Sequence, residues 1–126
     1  MSVFNEKIIE RDKMTNNFVK AEDLIHGTWM IESVDIIQSN NPKYGAREKG
    51  NDGKPDKLFE QGILQEGETL RYSLINDAGE AKVYDSKGVA LYIAVKKANV
   101  DKGEPIRFTK TGSGDNTRYT VERVQV

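Results

Sequence analysis

Polar and apolar residues alternate along several short runs of this chain, and one run is apolar almost throughout. Thr69-Leu-Arg-Tyr-Ser-Leu-Ile has Leu70, Tyr72 and Leu74 at one parity and Arg71 and Ser73 at the other. That two-residue period predicts a strand with Leu70, Tyr72 and Leu74 on its core face. Asn76-Asp-Ala-Gly follows as a turn, then Ala81-Lys-Val-Tyr-Asp as a short strand. There Ala81 and Val83 are expected inward, and Lys82 and Tyr84 outward beside Arg71. Thr28 to Ile37 reads as a longer strand with broken parity: Trp29, Ile31 and Ile37 share one side, and Met30, Val34 and Ile36 the other. A strand that changes its buried face midway is expected to contain a bulge or a sharp coil.

Two further β-rich runs, 105–111 and 117–124, are joined by Gly112-Ser-Gly-Asp-Asn. The glycines and the Asn supply the positive φ angles that a hairpin turn needs. The apolar run Val89-Ala-Leu-Tyr-Ile-Ala-Val suits either a helix or a buried strand. Its alanines, Ser86 as an N-cap, and Lys96 and Lys97 in the last turn favour a helix ending near Asn99. Residues 1–17 read as a polar arm whose main apolar content is Ile8 and Ile9, and His26-Gly27 marks a turn before the first strand. Ser39 to Gly67 has no convincing period and is expected to be a long loop, functional or mobile. Within it, Asn51-Asp-Gly lacks the alternating ligands and the closing Glu of a calcium loop.

The predicted order is strand, long loop, strand, strand, helix, strand, strand. It predicts an all-β domain over 18–126, a five-stranded OB-fold-like Greek-key barrel with one helix between strands 3 and 4. Another small β-barrel or an α+β sandwich would use the same elements.

A chain of 126 residues suits one domain. With 31% charged residues and a mean hydropathy of -0.66, it is expected to be soluble. Its longest apolar run is far too short for a bilayer, and Met1-Ser-Val-Phe-Asn-Glu-Lys shows no signal-peptide pattern. Without cysteine there are no disulfides or thiolate metal sites, which suits a cytoplasmic location. One histidine and no cysteine leave little for catalysis. His26, next to Gly27, is expected to cap or solvate its turn, so no enzyme activity, metal or cofactor is expected.

The net charge of -1 hides an uneven distribution. Residues 82–126 hold nine Lys or Arg against five Asp or Glu, an excess of four positive charges. A localised positive face matters more to phosphates than the total does. Arg107, Lys110 and Arg118 stand among aromatic and threonine residues of the hairpin, a combination that tracks phosphates and stacks bases or, equally, only solubilises an exposed hairpin. With Trp29, Tyr44, Arg71, Lys82 and Tyr84 they make up the expected nucleic-acid-binding set. Trp29 is as suited to anchoring the core as to stacking a base, and Tyr44 to clamping a base as to pinning its loop. Tyr72, Tyr92 and Phe108 read as packed residues.

The segments Phe18-Val-Lys-Ala-Glu-Asp-Leu-Ile-His-Gly-Thr, Tyr44-Gly-Ala, Tyr84-Asp-Ser-Lys-Gly-Val-Ala-Leu-Tyr and Phe108-Thr-Lys-Thr-Gly-Ser-Gly-Asp-Asn-Thr-Arg-Tyr-Thr-Val resemble the small OB-fold single-stranded DNA-binding proteins of bacteriophages. The resemblance covers roughly residues 18–124. It implies a protein of phage replication or recombination that coats single strands and meets other proteins of those processes. The sequence stops at Thr-Val-Glu-Arg-Val-Gln-Val, without the acidic tail by which many such proteins recruit partners. A homo-oligomer is expected, because linking several small sites raises avidity. The competing reading is a protein-interaction or structural phage module on the same small β-scaffold, with no nucleic-acid ligand.

Overall fold

The alternation around Leu70, Tyr72 and Leu74 is realised in a strand over Glu68–Ile75 that pairs antiparallel along both of its edges. In the computed structural model the described residues are 4–9, 18–39, 45–50, 53–112 and 116–124. They form β1 (Phe4–Ile9), α1 (Ala21–Leu24), β2 (Trp29–Gln38), α2 (Lys57–Glu60), β3 (Glu68–Ile75), β4 (Ala81–Ser86), α3 (Val89–Ala98), β5 (Pro105–Thr111) and β6 (Arg118–Arg123). The class is all-β.

Five strands run in the order β4-β3-β2-β5-β6 with antiparallel neighbours. β1 lies in the segment read as a polar arm and pairs with β2 in parallel. It shares one edge of β2 with β5, which meets only the start of that strand, at Trp29↔Ile106 and Met30↔Pro105. The expected irregularity in β2 falls between Ile31 and Ser33. It lets Trp29 and Ile31 enter the core before the bulge and Val34 after it. β3 is buried on both faces, with Thr69 and Arg71 as enclosed as Leu70 and Tyr72.

Among the described residues no strand ladder joins β4 to β6, so the sheet is open there. The free edge of β4 instead receives Phe18 and Val19: Phe18 bridges Val83, and the Val19 N–H donates to the Val83 carbonyl at 2.9 Å.

The helix expected after the third strand follows the fourth, because β1 adds a strand at the N-terminal side. It also starts later than Ser86 would place it. Ser86 ends β4, its Oγ accepts the Gly88 N–H at 3.0 Å, and Gly88 occupies the N-cap. Asn99 closes the helix in the left-handed conformation, with φ of 50°. Arg123 of β6 reaches back to donate to the Ala98 carbonyl at 2.8 Å. α3 thereby packs on the hairpin through Leu91 and Val95, which join Ile106 and Phe108 in the core.

The segment before β3 is no simple excursion. Ala46, Leu58 and Leu64 are buried in the main core although they obey no period. The Ala46 N–H donates to the Glu68 carbonyl at 2.7 Å, and the Gly67 N–H donates back to Ala46 at 2.8 Å. The Asp56 carboxylate accepts the Arg47 N–H at 2.7 Å and Lys87 Nζ at 3.1 Å, fastening this segment to the end of β4.

Candidate nucleic-acid interface

Register decides which side chains share a surface. β3 and β4 pair with Tyr72 opposite Tyr84 and Leu74 opposite Lys82. Directly opposed residues point to the same face of a sheet, so Tyr84 and Lys82 lie on the core side with Tyr72. Their rings agree with this, with centroids 6.2 Å apart and planes inclined at 36°. Arg71 stands opposite Asp85 and shares the other face with Val83. The expected outward group of Arg71, Lys82 and Tyr84 is therefore split, because the parity of β4 is opposite to the one expected.

Arg71 is also committed elsewhere. Its Nε and Nη2 donate to Oδ1 and Oδ2 of Asp85 at 2.9 and 3.0 Å, a bidentate pair. The Phe18 ring lies 5.4 Å from its guanidinium carbon. At 7% exposure it is a structural residue of the sheet. Trp29 is equally enclosed, and its Nε1–H donates to the Leu24 and His26 carbonyls, both at 3.1 Å. That assigns it to the core. His26 is exposed. Tyr44 lies outside the described residues.

The hairpin presents two different faces. Ile106, Phe108 and Lys110 alternate towards the core side, opposite Arg123, Val121 and Tyr119. Arg107 pairs with Glu122 and Thr111 with Arg118 on the outer side, where all four are exposed. Lys110 thus stands beside Tyr119, while Arg107 and Arg118 occupy the reverse of the ribbon.

Four of the chain's five tyrosines lie in or against the one core, two of them on β4 and β6, the strands at the open edges of the sheet. Tyr84 comes from β4, Tyr119 from β6 and Tyr92 from α3, each half-buried and packed on the core above the fully buried Tyr72. Burial drives the Tyr72 phenol far above its ordinary range, with Tyr84, Tyr92 and Tyr119 each adding to the effect. Burial also raises Tyr119, helped by Tyr84, and burial raises Tyr92. These phenols stay protonated at neutral pH and offer both a ring and a neutral hydroxyl.

Cations edge the cluster. Lys96 Nζ sits 5.9 Å from the Tyr92 ring centroid, within cation–π range. Lys82 is two residues from Tyr84 on the same face, and Lys110 is the cross-strand partner of Tyr119. Neither lysine forms an ion pair with a carboxylate among the described residues. The surface so assembled can stack flat aromatic groups and neutralise anions beside them. Sequence periodicity missed the parts played by Tyr92, Tyr119 and Lys96. The shared parity of Tyr119 and Val121 does predict an inward ring, but only tertiary pairing brings it to Tyr84.

The chain matches no protein-family model, no curated protein and no solved structure.

Proposed function

We propose that this protein binds single-stranded DNA in a sequence-tolerant way, at the seam between β4 and β6. The observation that carries the reading is that the half-buried tyrosines 84, 92 and 119 pack on one core, with Lys82, Lys96 and Lys110 beside them. Every base has a π-face, so stacking on such rings gives roughly 1–3 kcal/mol per base without selecting sequence. Lysines at the margin release counterions as they meet phosphates. Expected contacts at Lys82, Tyr84 and Lys110 are retained, Tyr92, Tyr119 and Lys96 join them, and Arg107 and Arg118 serve strand segments that wrap the hairpin tip.

The architecture is compatible with an OB-fold left open at one seam. β2, β3 and β4, then α3, then β5 and β6 follow the order of that fold, and β2 pairs with β5 as its first and fourth strands would. β1 is an addition. The resemblance to phage proteins supports a role in phage DNA replication or recombination, with a homo-oligomer linking several small sites.

A titration of fluorescent oligothymidine and of a duplex of equal length, each at two salt concentrations, tests the reading. Strong, salt-dependent binding to the single strand with much weaker duplex binding is expected. Equal affinity for duplex, or no binding in dilute salt, leaves the protein-interaction module as the better account. Light scattering checks the assembly, which is wrong if a 14.2 kDa species is the sole form at micromolar concentration.

A further inference from the structure

The Tyr72 hydroxyl is buried and, among the described residues, has no hydrogen-bond partner. That is unusual, because a buried tyrosine oxygen nearly always finds a donor or an acceptor. Its ring centroid lies 6.2 Å from that of Tyr84, and Tyr92 and Tyr119 pack against the same core. Thr69 Oγ1 is also unpartnered but belongs to the opposite parity of β3, away from the tyrosines.

We propose that the Tyr72 hydroxyl is the polar floor of a base-binding slot, hydrogen-bonding the edge of one nucleobase held between the Tyr84 and Tyr119 rings. This rests on the single-strand-binding reading and gives that site an inner contact to the base rather than to the backbone. Access requires no strand to unzip, since the described residues show no ladder between β4 and β6. The half-buried Tyr84 and Tyr119 side chains must turn aside to admit a base. A hydroxyl both donates and accepts, so it satisfies a pyrimidine or a purine edge alike. The slot therefore adds affinity for a base without demanding a particular one.

Tyr72→Phe removes one oxygen and leaves the ring. The variant should bind oligothymidine about five- to tenfold more weakly than the parent, as loss of one hydrogen bond in a dry site requires. Its melting temperature should match or exceed that of the parent, because the free protein loses an unsatisfied polar atom. A strand of the same length built of abasic sites should bind parent and variant equally. The proposal is overturned if Tyr72→Phe binds oligothymidine as the parent does while Tyr84→Ala does not, an outcome that leaves the stacking surface intact. It is also overturned if the variant melts earlier with unchanged affinity, which would mean that the hydroxyl is bonded inside the fold, or if abasic strands suffer the same loss. Absence of any oligonucleotide binding by the parent sinks both readings together.

Discussion

Arg71 and Asp85 face each other across β3 and β4 and are joined by two hydrogen bonds of 2.9 and 3.0 Å. Asp35 on β2 is the register partner of Arg71 on the other side, so the guanidinium lies in a row of three charged residues across three strands. The Arg71 and Asp85 side chains are 9% and 13% exposed. Removing Asp85 leaves Asp35 beside the guanidinium, so Asp85→Ala should lower stability by about 1–3 kcal/mol. Arg71→Met/Asp85→Leu should not recover that loss, because it leaves the buried Asp35 without its neighbouring cation. Urea denaturation gives both numbers. The double variant should bind oligothymidine as the parent does, and weakened binding by a stable double variant would return Arg71 to the ligand.

At the seam, truncation and charge removal separate stacking from ion release. Tyr84→Ala should weaken oligothymidine binding by roughly 1–3 kcal/mol with its salt dependence unchanged. Lys82→Ala/Lys110→Ala should make the log–log salt slope shallower by about 1.4, two contacts at about 0.7 each on single strands. A slope identical to the parent's would place the phosphates elsewhere.

The contrast between these two pairs shows what the linear order made legible. The period of Leu70, Tyr72 and Leu74, the face change in β2 and the two β-rich runs of the last hairpin are local signals, and each reappears as expected. The orientation of β4 is not local. Ala81, Lys82, Val83 and Tyr84 alternate convincingly either way, and the choice is made by pairing Tyr72 with Tyr84, which lets an aromatic fill the open side and pairs Asp85 with Arg71. Ala46, Leu58 and Leu64 were silent for a related reason. A segment that dips into a core at scattered points has no period to detect, and β1 was hidden by the polar residues around Ile8 and Ile9.

Alkaline pH should expose the buried phenol. Tyr72 ionises ordinarily near 10.0, and burial raises its value in the folded state. Between those two values the folded form holds a proton that the unfolded form has lost, so stability must fall as pH rises. The melting temperature should hold up to about pH 10 and decline above it, with a shallower decline in Tyr72→Phe. Equal slopes for parent and variant would assign the alkaline loss to other groups.

The hairpin turn offers a sterically defined test. Gly112 has φ of 76°, and a Cβ there would collide with the Asn116 carbonyl oxygen. Gly112→Ala should destabilise by about 1–3 kcal/mol through backbone strain. By shifting the strand ends that hold Lys110 and Arg118, it should also weaken oligothymidine binding. Thermal melting and the same titration check the two effects, and a variant unchanged in both would show that the turn relaxes freely.

The enclosure of Trp29 decides how the molecule can be watched. It is the only tryptophan, its indole nitrogen is held by two backbone carbonyls, and the tyrosine cluster belongs to other elements. Its emission is thus a gauge of whether the protein is folded, and a poor gauge of what sits at the seam. A flat tryptophan trace during a ligand titration leaves binding undecided, and a label on the oligonucleotide or anisotropy must supply the answer.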